Sequence, residues 1–355
     1  MVNWGTDERH PSIVGVVAPG VRWRVFELEC CQKYFGLERD TTPEKVSAQD
    51  IINCGSEFVF WKLHTESTDP NQLAKCQNVA SSLPTVKHIN DPRHWLACHA
   101  KEKAFQIWKN RGIPCPQWFE FSDKASFLAN QWFDYPMIVR LNNSTSGWFS
   151  YLCNDDQQAM QAIQELQSKG MSYNHDGIPN TGVGRKMIAV KYIKTTRPEN
   201  VNMSFRIIVA GNRVVTGYAR LGPASDWIAI TNRFEKWMEE PFLKYQKLCQ
   251  KFCEENESLI VKSVSSLGLN FQGVDVILDQ QDNPWFIEVQ PGFSVGYADL
   301  KSWLPPYYNP SKPRELVDFL LRNTDRIKSE CPLYARWLDK YSMFDTAFAA
   351  LKESM

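Results

Sequence analysis

The sequence predicts an α/β fold, and three observations carry that reading. The run Ser12-Ile13-Val14-Gly15-Val16-Val17 is apolar and closed by Pro19-Gly20, the pattern of a short buried parallel strand and its turn. Further strand-like runs alternate with segments of helical periodicity instead of forming separate blocks. Two hairpin signals, Gly211-Asn212 and the stretch from Gln280 to Pro284, place antiparallel strands in the C-terminal half.

The elements follow in order. Val25, Leu28, Cys31 and Phe35 mark a helix, and Glu57-Phe58-Val59-Phe60-Trp61 a further strand. From Pro92 to Arg111 the spacing predicts one helix, with Leu96, Ala100, Phe105, Ile107 and Trp108 apolar; Gly112 ends it, with Pro114 and Pro116 beyond. Met137-Ile138-Val139 and the run from Trp148 to Leu152 are strands on either side of a Ser/Thr/Asn loop, Asn142 to Gly147. A helix from Asp155 to Lys169 precedes a Gly/Asn/Pro-rich loop and the strand Met187-Ile188-Ala189-Val190. Runs 204–210 and 213–221 flank Gly211-Asn212, 242–268 is helical, and 274–279 pairs with 285–289. The tail from Pro313 to Met355 reads as two amphipathic helices. These elements divide the chain into an N-terminal α/β unit (1–90), a central domain (91–310, with halves near 113–195 and 196–300) and a helical extension (311–355).

Composition narrows the function classes. At 355 residues the chain exceeds a single small core. Forty basic residues balance forty acidic ones, which argues against a nucleic-acid footprint or an anionic membrane surface. No apolar run approaches the ~18 residues of a membrane span. Ten cysteines lack framework spacing, and Met1 to Glu8 does not read as a signal peptide, so the expected compartment is the reducing cytoplasm. Cys249 and Cys253, four apart on a helix, have no Cys/His pair at zinc spacing and read as core thiols, as do Cys30 and Cys31. His94 and His99 lie close to Lys101, either beside a ligand or as ordinary helix residues.

Candidate chemistry concentrates in the last hairpin. Asp275 sits among Val274, Val276 and Ile277, and Glu288 among Phe286, Ile287 and Val289. A carboxylate in an apolar strand is costly unless a positive charge compensates it. With the Gln290 amide, the pair makes an oxygen-rich cluster of the kind that holds Mg²⁺ together with phosphate oxygens; the alternative is two edge-strand acids facing solvent. The Asn142-Asn143-Ser144-Thr145-Ser146-Gly147 loop can aim amides and hydroxyls at an anion, with Arg140 at the end of the strand before it, or it is simply a turn. No Gly-x-x-x-x-Gly-Lys-Ser/Thr and no helix-opening Gly-x-Gly-x-x-Gly occurs, which argues against P-loop and Rossmann nucleotide binding. Arg206 and Arg220 on the strands beside Gly211-Asn212 form a guanidinium pair suited to a carboxylate or phosphoryl group, or are exposed strand arginines.

In this order and spacing, the pieces over residues 85–300 resemble the ATP-grasp superfamily, most closely its glutamate-ligase-like and glutathione-synthetase-like branch. Lys101, before Gly112-Ile113-Pro114-Cys115-Pro116, stands where that family has a helix-opening lysine. Tyr135-Pro136-Met137-Ile138-Val139-Arg140 resembles the strand with a second phosphate-binding lysine, and Ser144, Thr145, Ser146 and Gly147 the glycine-rich loop after it. Val190-Lys191-Tyr192-Ile193 is similar to the hinge strand at the adenine. Phe205-Arg206 and Tyr218-Ala219-Arg220 resemble the arginine pair at the transferred phosphate. The segments 267–275 and 286–292 resemble the two metal-binding strands. Departures are Arg140 for lysine, Ala100 for an aspartate, Lys191 for an acid, one loop glycine in place of several, and Gln290 for asparagine.

The resemblance implies a pre-ATP-grasp unit before residue 91 and an ATP-grasp domain closing on ATP. Lys101, Arg140, the 144–147 loop, Lys191, Tyr192 and Ile193 would bind the nucleotide, and Asp275, Glu288 and Gln290 would hold Mg²⁺ or Mn²⁺. Arg206 and Arg220 would serve catalysis. The implied reaction joins a small-molecule or peptide carboxylate to an amine through an acyl phosphate, in a protein with no nucleic-acid or membrane partner that forms a homodimer or acts alone. Two alternatives remain: phosphotransfer to a hydroxyl, and a degenerate scaffold that binds nucleotide without turnover.

Overall fold

A computed structural model describes residues 13–17, 25–63, 70–144, 147–170, 185–227, 234–290 and 314–355. Three four-stranded sheets organise them. In the first, β1 (Ile13–Val17) pairs in parallel with β2 (Leu37–Thr41) and β3 (Phe58–Lys62), and β3 carries β4 (Lys87–Ile89). The helices of this unit are α1 (Val25–Phe35), α2 (Ala48–Asn53) and α3 (Pro70–Ser81). Phe58 to Trp61 are all buried, as an unbroken apolar run in a parallel sheet covered on both faces requires. Ser47 starts α2 by accepting from the Asp50 amide.

The single helix expected over 92–111 is in three pieces: a 3-10 turn at Pro92–His94, α4 (Leu96–His99) and α5 (Lys101–Asn110). Ala100 breaks it with an extended backbone, φ −114° and ψ 102°. The apolar spacing runs on through the break, so periodicity alone conceals it.

The second sheet contains β5 (Trp118–Phe121), β6 (Met137–Leu141), β7 (Ser150–Cys153) and β8 (Met187–Lys191), antiparallel in the order β5-β8-β6-β7. Its helices α6 (Lys124–Asn130) and α7 (Asp156–Glu165) begin at Asp123 and Asp155, whose carboxylates accept from the amides of Ser126 and Gln158. Met137, Val139 and Leu141 enter the core with Phe127 and Ile163. Alternation along β6 therefore turns Arg140 to the opposite face.

The third sheet contains β9 (Val201–Ala210), β10 (Arg213–Pro223), β11 (Phe271–Leu278) and β12 (Pro284–Gln290), antiparallel in the order β10-β9-β11-β12. Helix α8 (Glu239–Ser265) packs on it, and the Gln246 amide bonds both the N–H and the carbonyl of Ala219 at 2.8 Å. Both expected hairpins form. Gly211 turns the first with φ 55°, and a Cβ there would come within 2.7 Å of the Ala350 carbonyl oxygen, so glycine serves both the turn and the close approach of the C-terminal helix.

The tail is four helices where two were expected: α9 (Arg314–Arg322), α10 (Thr324–Glu330), α11 (Pro332–Leu338) and α12 (Lys340–Ser354). Cys331 leaves helical geometry, with φ −139° and ψ 60°, and Pro332 opens the next helix, a position that tolerates proline's missing donor. Helix α11 packs on β10, and α12 packs on α1 and across β9 and β10. The described residues contain two apolar cores. One runs through the first sheet, the third sheet and the C-terminal helices and takes in Ile188 and Val190 of β8, whereas the other face of the second sheet has its own around Phe119, Phe121, Phe127 and Phe133. No helix among the described residues is long and apolar enough to cross a membrane.

Candidate functional site

Strand register builds one side of the site. Tyr218 lies opposite Arg206, Arg206 opposite Asp275, and Asp275 opposite Glu288. Residues directly opposite point to the same face, so these four form one row across the third sheet, with Arg220 and Gln290 two positions along their strands. Arg206 grips Asp275 with two bonds, Nε to Oδ1 at 2.5 Å and Nη2 to Oδ2 at 2.7 Å. Arg220 adds a third, Nη2 to Oδ2 at 2.8 Å, while its Nε donates to Ser204 Oγ at 3.1 Å. Arg206 is 8% and Asp275 5% exposed, so neither charge is satisfied by water. Burial alone would weaken the Arg206 charge, but the neighbouring Asp275 carboxylate outweighs it and holds the guanidinium more firmly protonated than usual.

The other side comes from α5 and the β6 loop. Lys101, 6% exposed, pairs through Nζ with Glu288 Oε2 at 2.9 Å and donates to the Ser144 carbonyl at 2.8 Å. Arg140 donates from Nη2 to the Ser144 carbonyl at 2.9 Å and to Ser144 Oγ at 3.1 Å. Burial, then the proximity of Arg140, lowers the pKa of Lys101, and burial lowers that of Arg140. Glu288 shifts in the direction opposite to its burial: Lys101 and Arg140 hold it far below the ordinary carboxylate range. Among the described residues, four cations (Lys101, Arg140, Arg206 and Arg220) thus surround two carboxylates (Asp275 and Glu288), an excess of positive charge suited to a polyanion.

Asn142 joins the two sides. Ala100 cannot cap α5, so Asn142 Oδ1 accepts from the Glu102 amide at 3.1 Å, and its Nδ2 donates to the Glu102 carboxylate. Burial holds the Glu102 pKa above its usual value, against that hydrogen bond. An N-cap is thus supplied from 40 residues away in sequence. Glu102, Asn142, Ser204 and Tyr218 escaped sequence reasoning as individual site residues. Asn142 lay in the expected loop, but no local signal tied it to α5.

The remaining expected residues fall as follows. Lys101, Arg140, Ser144, Arg206, Arg220, Asp275, Glu288 and Gln290 come together. Lys191 does not join them: its Nζ donates to the Asp134 carbonyl at 2.6 Å. The strand expected over 190–193 ends at Lys191, and Tyr192 keeps one bond, from its N–H to the Pro136 carbonyl at 3.2 Å, with Ile193 following. Gly147 has φ 76°. Thr145, Ser146 and the Pro291-Gly292 turn lie outside the described residues, as does the side chain of His99. His94 instead packs over Gly268, and Cys249 and Cys253 are buried beside Gly217.

The expected metal residues Asp275, Glu288 and Gln290 have bonding partners within the chain. Both Asp275 oxygens are engaged by guanidinium groups, Glu288 Oε2 by Lys101, and Glu288 Oε1 by Gln290 Nε2 at 2.7 Å. In that bond the Gln290 amide donates its N–H to the neighbouring carboxylate. The donor set still fits a hard cation: two carboxylates opposite each other on a hairpin, with an amide on the same face. No group of three or more His, Cys, Asp or Glu is placed to hold a metal among the described residues, so phosphate or water oxygens would complete the shell.

Comparison with known proteins bears on this arrangement. Residues 98–300 match the RimK-like ATP-grasp domain. An uncharacterized protein of Mycoplasma genitalium is 28% identical over 167 residues, 47% of either chain, so this chain spans about half the length of that relative. The L-amino acid ligase of Bacillus licheniformis is similar with a TM-score of 0.52 at 14% identity, over 82% of this chain and 72% of its own. The D-alanine–D-alanine ligase of Bacillus anthracis, complexed with ATP, gives 0.51 at 12% identity over 98% and 99%. At such identities the structural likeness is one of fold. The domain match covers more than half of the chain and includes the four cations and both carboxylates of the cluster. The chain belongs to the RimK-like ATP-grasp domain family.

Proposed function

We propose that this protein is an ATP-dependent, ADP-forming carboxylate–amine ligase that works with Mg²⁺ and joins a small-molecule or peptide carboxylate to an amine. The observation that carries this reading is the two-sided cluster in which four cations outnumber two carboxylates. Lys101 and Arg140 hold the ATP phosphates from one side, and Asp275 and Glu288, with Gln290, hold the metal from the other. Bound there, Mg²⁺ would supply positive charge that offsets the charge of the phosphates. Arg206 and Arg220 orient the acceptor carboxylate and stabilise charge at the γ-phosphoryl group. A carboxylate oxygen bonds to the γ-phosphorus as the bond to ADP breaks. The amine nitrogen then bonds to the acyl carbon, the carbon–oxygen bond to phosphate breaks, and the amine proton passes to solvent. Positioning and electrostatics supply the catalysis, with no nucleophilic side chain required.

The test is an ADP-release screen of paired carboxylates and amines with Mg²⁺, followed by mass spectrometry of the product. Asp275→Ala and Glu288→Ala are expected to abolish ADP formation, and retained turnover in either overturns the reading. A phosphorylated acceptor formed without an amine would make the protein a phosphotransferase. Nucleotide binding without turnover across the screen would make it a scaffold.

A further inference from the structure

We propose that Tyr218 forms one wall of the acceptor pocket and selects a carboxylate bearing an aromatic group, with Trp337 of α11 as the positioning residue behind it. This rests on the ligase reading and adds the class of acceptor. Tyr218 stands directly opposite Arg206 across β9 and β10, extending the charged row by one residue on the same face.

Trp337 stacks on the Tyr218 ring with centroids 4.5 Å apart and planes 23° apart, and the Tyr334 ring lies 6.4 Å away. Trp337 and Tyr334 are buried, whereas Tyr218 is half-buried. A ring backed by a second ring is preorganised, so a ligand that settles on it loses little to side-chain ordering. Side chains directly opposite have Cβ atoms ~5 Å apart. Tyr218 thus flanks the arginine pair, opposite Arg206 on β9 and two positions before Arg220 on its own strand, and a carboxylate taken up at that pair lies beside it in the same row. Helix α11 lies beyond residue 300, outside the matched domain, so the C-terminal extension of this chain supplies the support for that wall.

The test uses the full chain loaded with Mg²⁺ and ADP, and saturation-transfer NMR with 3-phenylpropionate and 3-cyclohexylpropionate as probes. The two probes share size and charge and differ in aromaticity. The wild type is expected to bind the phenyl compound about threefold to tenfold more tightly, the range of an aromatic pair beyond its buried area. Tyr218→Leu keeps the bulk and is expected to remove the preference while ADP affinity stays unchanged. Trp337→Leu is expected to reduce the preference without weakening the cyclohexyl compound, a split that a merely structural role would not produce. Equal binding of the probes by the wild type, or a preference that survives Tyr218→Leu, overturns the inference and leaves the ligase reading standing. A wild-type chain that binds no ADP sinks the ligase reading and this inference with it.

Discussion

The second and third sheets face the same charged cluster but are anchored in different ways. The third sheet shares one continuous core with the first sheet and the C-terminal helices, and its central strand β9 is buried along its whole length. The second sheet closes a core of its own against α6 and α7. Arg140 and Ser144 come from the second sheet and its loop, while Arg206, Arg220, Asp275 and Glu288 come from the third sheet and Lys101 from α5. The ion pairs differ accordingly. Asp275 is fixed by three hydrogen bonds within one sheet. Across the divide, the β6 loop is joined to α5 by backbone carbonyls on Lys101 and by Asn142. The separation is not complete: Ile188 and Val190 of β8 belong to the larger core, and Trp118 and Ile138 pack against it, so the second sheet is held by its own core on one face and by the shared core on the other.

The largest test of this difference is a pair of core truncations. Phe127→Ala and Phe205→Ala each remove a fully buried ring, and each is expected to cost about 3–5 kcal/mol. Hydrogen exchange by mass spectrometry should show Phe127→Ala loosening only the second sheet with α6 and α7. Phe205→Ala should lower protection in the first and third sheets together. Equal loss everywhere in both variants would mean that the cores are not separate units. Next in size, Arg140→Ala removes one charged grip from the second-sheet side. It should weaken ADP binding by calorimetry about tenfold to a hundredfold, the worth of a hydrogen bond to a charged group, while thermal stability changes little.

Asn142→Ala probes the join itself. It deletes the α5 cap and the Glu102 partner, and should lower stability by about 1 kcal/mol in urea unfolding; an unchanged midpoint would deny Asn142 this role. The smallest effect is a pH dependence inside the larger unit. Hydrogen bonds from Lys244 and Tyr245 push the Glu199 carboxyl down to about 2 from 4.5. A depressed carboxyl contributes stability that is present above its ordinary pKa and lost as pH falls towards 2. Glu199→Gln should therefore flatten the acid limb of a thermal-melt series between those values, and an unaltered limb would show the bond to be weak in solution.

Much of the architecture was legible before the structure, and for local reasons. Gly211-Asn212 and the Gln280 to Pro284 turn punctuate alternating apolar strands, so both hairpins followed from sequence. The pairing of Asp275 with Glu288 followed with them. Where the expectation missed, the reasons differ. Ala100 breaks a helix without disturbing its apolar spacing, whereas the tail divides after Cys331 at Pro332, a helix-opening proline that periodicity alone passes over.

What the sequence determined by itself is the inventory: an α/β chain with two late hairpins, a pair of carboxylates in apolar strands, and enough cations to answer them. Which cation answers which carboxylate was decided by tertiary structure. Arg206 meets Asp275 because β9 pairs with β11, and Lys101 meets Glu288 because α5 packs against β12. Asn142 caps a helix 40 positions earlier, and Trp337 stacks on Tyr218 from the far end of the chain. Turn residues and periodicity act over a few positions, whereas strand register between distant segments and the pairing of buried charges are set by how the whole core packs.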